Sequence, residues 1–142
     1  MSESAVGEGE PGSSSSNSTI NAVSLNDLLR FALELTGLAA LAWFGLIVDA
    51  GVWSWIFAIL FPILAAAAWG TFAVPGDPSR SGRAPLPVSG HVRLALELTF
   101  FGLATIALAR VAGPPAALAL AGVVIVHYAI SHKRLRWLLS QT

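Results

Sequence analysis

The sequence RFALELT at residues 30–36 returns as RLALELT at residues 93–99, sixty-three positions further along the chain. The matching Leu and Ala residues mean little in an apolar sequence, but Arg, Glu and Thr recurring at one spacing inside apolar segments predict an internal duplication. In both copies the Arg precedes the Glu by four residues, which places the two side chains on one face of a helix.

Both copies lie near the start of an apolar segment long enough to cross a bilayer. Ionisable residues are rare in such segments and are candidates for functional sites. Arg30, Glu34, Arg93 and Glu97 are therefore the first candidate site residues.

The composition is that of a membrane protein. Of the 142 residues 55% are hydrophobic and only 11% are charged, against about 25% charged in soluble domains, and the mean hydropathy is +0.71. Eight basic and eight acidic residues cancel, so no overall positive charge points to nucleic acid as a partner. The absence of cysteine excludes disulfides, thiolate catalysis and cysteine-based metal sites.

The first 23 residues are rich in Ser, Gly and Glu, which predicts a disordered acidic tail. They have no basic segment followed by an apolar run and a small-residue cleavage site, so a signal peptide is not expected. Residues 24–140 are expected to form an all-α transmembrane domain, whose four spans are predicted at residues 25–48, 53–74, 92–112 and 115–131.

A loop rich in Pro, Gly and Ser, residues 75–91, separates two helical hairpins. The predicted architecture is thus a four-helix bundle built from two hairpin repeats. Because an even number of crossings separates the copies, their first helices should run parallel, with a symmetry axis along the membrane normal.

The basic residues predict the orientation. One end of the predicted spans carries only Arg110, whereas the end that holds both termini carries Arg30, Arg80, Arg83, Arg93, Lys133, Arg134 and Arg136. Positively charged residues concentrate on the cytoplasmic side. Both termini are therefore predicted to be cytoplasmic, with the last three basic residues acting as a stop-transfer signal.

Glu34, Trp69, Glu97 and His127 fall at a similar depth on the four predicted helices, about 7 to 8 Å from the cytoplasmic end at a rise of 1.5 Å per residue. In one interpretation the two Arg/Glu pairs form a structural network, within helices or across them. In a second, the two glutamates line a cytoplasm-facing pocket for a proton, cation or polar solute. A third, metal binding by Glu34, Glu97 and His127, lacks any characteristic ligand spacing, so no metal or cofactor is predicted.

Arg80 and Arg83, in the central loop, are expected to fix the topology; contact with lipid phosphates or closure over a pocket mouth is the alternative. The sequence has no Ser/His/Asp set and no glycine-rich phosphate loop, so no enzymatic activity is predicted. Two functions remain: an accessory or structural membrane protein, or a small transporter that uses Glu34 and Glu97. The expected partners are the lipid bilayer and either another membrane protein or a second copy of the chain.

Several segments, within the repeated motif and beyond it, carry a resemblance to a known family. These are LNDLLRF at 25–31 with Glu34, WG at 69–70, FAVPGDP at 72–78, Arg80, AP at 84–85, Arg93, Glu97 and RWLL at 136–139. Over about residues 25–140 the chain resembles the YrdB-like family of small prokaryotic membrane proteins, named for a domain of unknown function. The resemblance implies a four-span protein of a prokaryotic plasma membrane and assigns no activity.

Overall fold

The computed structural model describes residues 25–77 and 84–142. This part of the chain is mainly helical, with α1 at Leu25–Val48, α2 at Val52–Thr71, α3 at Gly90–Ala112, α4 at Pro114–Ile130 and α5 at His132–Leu139. Two short strands, β1 at Phe72–Ala73 and β2 at Leu86–Pro87, pair in parallel. The predicted tail, residues 1–23, lies outside the described residues, as do Arg80 and Arg83.

Three helices, α1, α2 and α3, are long and apolar enough to cross a membrane, and a fourth span results if α4 and α5 count as one bent segment. With 17 residues, α4 reaches the lower limit for a bilayer crossing by itself. The chain is therefore a membrane protein with three or four candidate spans.

The helices differ from the predicted spans by more than one residue in three places. First, α2 passes through Pro62 but ends at Thr71 rather than at residue 74, because the chain turns extended to form β1. Second, α3 begins at Gly90, inside the predicted loop, where the Ser89 hydroxyl accepts a hydrogen bond from the Val92 amide. Third, the chain bends by 73° after Ile130 and continues as α5, which the sequence pattern did not predict as a helix.

The helices that carry the repeated motif, α1 and α3, pack against each other at the centre of the fold. Helix α2 packs along α1, and α4 packs mainly along α3, while α2 and α3 make little contact. The core between the central helices and α4 contains mostly apolar side chains, namely Leu33, Phe100, Phe101, Ala104, Leu120 and Val124. On the other side α2 has a single buried residue, Ser54, so most of its surface is free to face lipid.

Two glycines allow the closest helix contacts. A Cβ atom on Gly45 of α1 would overlap the backbone of Ala58 in α2. A Cβ atom on Gly90, at the start of α3, would overlap the Leu138 carbonyl at the end of α5. Both positions therefore require the smallest side chain for the helices to approach this closely.

Candidate functional site

Both repeated Arg/Glu pairs form the intrahelical contact that their spacing predicts. Arg30 Nε lies 2.9 Å from Glu34 Oε1 on α1, and Arg93 Nε lies 3.1 Å from Glu97 Oε1 on α3. The two central helices are also joined, because Arg30 Nη2 lies 3.6 Å from Glu97 Oε1. Contacts within helices and across them thus occur together.

Arg93 closes the end of α2. Its Nη1 donates to the carbonyl oxygens of Trp69, at 2.9 Å, and Phe72, at 2.7 Å. These carbonyls belong to the end of α2, where backbone acceptors lack helical partners and a positive charge is favoured. The Trp69 ring covers the guanidinium, with its centroid 4.3 Å from the Arg93 Cζ atom. Arg93 is fully buried, so it stabilises the α2–α3 junction from inside.

Arg134 of α5 completes the cluster. It donates through Nη1 to Glu97 Oε2 at 3.1 Å and through Nη2 to Glu97 Oε1 at 2.8 Å. It also contacts the Asp77 carboxylate, with Nη2 2.9 Å from Oδ2. The sequence pattern predicts that Arg134 belongs to a stop-transfer signal together with Lys133 and Arg136. Its structural position differs because the bend after Ile130 turns this one side chain back over the bundle.

The turn before the central loop positions Asp77. The Asp77 amide donates to the Val74 carbonyl at 3.2 Å, and Gly76 has a φ of 74°. A type II turn has proline at its second position and glycine with positive φ at its third. Pro75 and Gly76 occupy these two positions here. The PGD sequence at residues 75–77 therefore sets the direction of the Asp77 carboxylate. This turn motif is the feature of the sequence from which Asp77 could have been recognised as a site residue.

A tyrosine is the remaining group that contacts Glu97. Tyr128 of α4 donates its hydroxyl to Glu97 Oε2 at 3.2 Å. Glu97, with 3% of its side chain exposed, thus contacts groups from α1, α3, α4 and α5. We call the six charged residues of this assembly the charged cluster: Arg30, Glu34, Asp77, Arg93, Glu97 and Arg134. Its three guanidinium groups and three carboxylates balance in charge.

His127 does not join the two glutamates. Its Nδ1 lies 3.1 Å from Asn26 Oδ1, and the Asn26 amide donates to the Ser131 hydroxyl at 3.0 Å. These contacts tie the start of α1 to the junction between α4 and α5. Within residues 25–77 and 84–142, no group of three or more His, Asp or Glu side chains is arranged to hold a metal ion.

A small cavity of about 120 Å³ adjoins the cluster at Glu34, the most exposed of its carboxylates at 25% of the side chain. The cavity lies between α1, α2 and α3, and its other lining residues, among them Leu38, Ala65 and Phe100, are apolar apart from the indole of Trp69. It can hold a few water molecules beside one carboxylate.

Comparisons with known proteins give a family and no activity. A family model described as "Protein of unknown function (DUF2568)" matches residues 28–125. The chain is 39% identical over 116 residues to "Uncharacterized protein YrdB" of Bacillus subtilis (strain 168), a match that covers 82% of this chain and 94% of that protein. No solved structure matches. The matched region contains five of the six members of the charged cluster, all but Arg134, and on this evidence the chain belongs to the DUF2568 family of YrdB-like membrane proteins.

Proposed function

We propose that this protein is a non-enzymatic accessory or structural component of the prokaryotic plasma membrane, and that its charged cluster is a structural clamp. The observation that carries the proposal is the surroundings of Glu97, which is buried among Arg30, Arg93, Arg134 and Tyr128. A carboxylate held by several cations stays ionised and has no free position for a transported ion.

The proposal includes four crossings, with α4 as the last span and α5 beyond it. The charged cluster then lies at the cytoplasmic end, together with both termini, as the distribution of basic residues favours. The packing of α1 against α3, with α2 and α4 outside them, supports an origin from two duplicated hairpins. The proposed partners are the bilayer and, along the little-buried α2, another membrane protein or a second copy of the chain.

A small transporter is the second candidate, and the cavity beside Glu34 is the observation that favours it. In that function Glu34 would exchange a proton or cation, while Glu97 held the helices together. The cavity is small and largely apolar, and the neighbouring guanidinium of Arg30 disfavours a bound cation. We therefore rank this function below the structural one.

Proteoliposomes that contain a trapped pH indicator distinguish the two functions. The native chain is compared with the Glu34→Gln and Glu97→Gln variants, and with Asp27→Asn as a control at an exposed carboxylate outside the cluster. The structural function predicts no solute-driven pH change in any of them and a lower thermal stability for Glu97→Gln. A saturable pH change in the native chain that Glu34→Gln abolishes, without loss of thermal stability, would establish transport instead.

A further inference from the structure

The three basic residues of α5 point in two directions. Arg134 faces the bundle and binds Glu97 and Asp77. Lys133 and Arg136 are exposed, and their positions, three residues apart, place them on one face of the helix. Neither side chain forms an ion pair or hydrogen bond within residues 25–77 and 84–142. The α5 sequence, HKRLRWLL, contains no acidic residue to neutralise them.

The orientation of α5 is fixed by the fold. The helix lies at 73° to α4, so it runs close to the membrane plane when α4 crosses the bilayer. Its far end is held to the start of α3, where the Gly90 amide donates to the Gln141 carbonyl at 2.9 Å and Leu138 is fully buried. Together with the Arg134 contacts, this attachment holds the exposed basic face in one position.

The remaining side chains of α5 match a membrane interface. Leu139 is exposed, with 44% of its surface accessible, although it is apolar, and Trp137 is half-buried. On α5 these apolar side chains adjoin the basic ones, since Trp137 follows Lys133 by four residues and Leu139 follows Arg136 by three. In an interface the Trp and Leu side chains enter the acyl boundary, while the long Lys and Arg side chains extend their charges to the headgroups. The charge on the exposed face selects among headgroups, because anionic lipids attract Lys and Arg near the surface.

We propose that Lys133 and Arg136 form a binding surface for the phosphate groups of anionic lipids, with α5 lying in the interface of the leaflet that the charged cluster faces. The proposal rests on the membrane location proposed above and does not depend on whether the cluster is structural or transports a solute. It also differs from a topology signal, since a signal read during insertion requires no lipid preference in the folded protein.

The first test measures lipid preference on the purified full-length protein. Native mass spectrometry compares the binding of phosphatidylglycerol and phosphatidylcholine to the native chain, to the variant with Lys133→Gln and Arg136→Gln, and to Arg110→Gln. Arg110 is the matched control, because it is exposed at the opposite end of α3. The native chain and the control should prefer phosphatidylglycerol, and the double variant should lose roughly tenfold or more of that preference at low salt. An unchanged preference in the double variant would overturn the proposal.

The second test locates α5 in the membrane. A spin label is attached to Leu139→Cys, in a chain that has no other cysteine, and its depth is measured in bilayers of the two lipids. We expect a depth at or just below the headgroups. A label in bulk water would contradict the interfacial position, even if the protein bound anionic lipid elsewhere.

Discussion

Arg134 and Glu97 form a two-point contact between α5 and α3, in which both terminal nitrogens of the guanidinium donate to both carboxylate oxygens, at 3.1 and 2.8 Å. Such parallel contacts fix geometry as well as contributing energy. The pair is mostly shielded, with 14% of the Arg134 side chain and 3% of the Glu97 side chain exposed. It therefore connects the last helix to the repeated motif of the second hairpin.

Loss of Arg134 should destabilise the fold strongly. Replacing it by Ala leaves the Glu97 and Asp77 carboxylates without one of their cations, and breaking a buried pair on one side costs about 3 to 5 kcal/mol. The Arg136→Ala variant should change the free energy of unfolding by less than about 0.5 kcal/mol, because Arg136 is exposed on the same helix. Thermal unfolding of both variants in detergent measures the difference.

A double-mutant cycle then tests whether the contact itself is responsible. The variant with both Arg134→Ala and Glu97→Ala should lose less stability than the sum of the two single variants, by about 0.5 to 3 kcal/mol. The matched cycle of Arg136→Ala with Glu97→Ala should be additive. Additive losses for Arg134 and Glu97 would show that the two side chains contribute separately.

The sequence predicted the part of this site that depends on local spacing. An Arg and a Glu four positions apart lie on one face of a helix, which predicts an intrahelical contact, and both copies form it. The contacts of Arg134 and Asp77 join positions 57 residues apart along the chain and depend on the bend after Ile130. A run of three basic residues after an apolar segment is equally typical of a stop-transfer signal, so nothing in the local pattern showed that one of them turns inward.

The helix ends were predicted less well than the helices themselves, for a related reason. Apolar residues continue through Phe72, Ala73 and Val74 after α2, and hydropathy does not distinguish the last turn of a helix from a short strand. The chain leaves the helix there because β1 pairs with β2 and Arg93 binds the final carbonyls of α2. Both causes are tertiary contacts.

Gly90 provides a second prediction, on the attachment of α5. Its replacement by Ala places a methyl group where the Leu138 carbonyl lies. Ordinary overpacking costs about 1 to 3 kcal/mol, and the cost here should lie at or above that range because the overlap is with backbone and not with a flexible side chain. We expect a lower thermal stability and faster tryptic cleavage after Lys133 or Arg136, since α5 must detach locally to be cut.

The control for this variant is Gly102→Ala in the same helix, where an added Cβ atom meets no other group within 4 Å. It should leave tryptic cleavage unchanged and alter the stability by at most about 1 kcal/mol in the favourable direction, through helix propensity. Equal behaviour of the two variants would mean that α5 does not rest on Gly90 in solution.

The third prediction concerns orientation, on which the location of the charged cluster and of α5 depends. Seven basic residues lie at the end of the spans proposed to be cytoplasmic, against Arg110 alone at the other end, and such an excess in short loops retains that end inside the cell. The chain has no cysteine, so single cysteines introduced at Ser14, Ser81 and Gln141 can be labelled without interference. In intact cells a membrane-impermeant maleimide should leave all three unlabelled, and should label them after the membrane is opened.

Ala50→Cys is the matched control, because Ala50 is exposed in the turn between α1 and α2 and should be labelled from outside. The proposed topology would be contradicted if the reagent labelled any of the three variants, Ser14→Cys, Ser81→Cys or Gln141→Cys, in intact cells. If all three were labelled and Ala50→Cys were protected, the charged cluster and the basic face of α5 would lie at the outer leaflet.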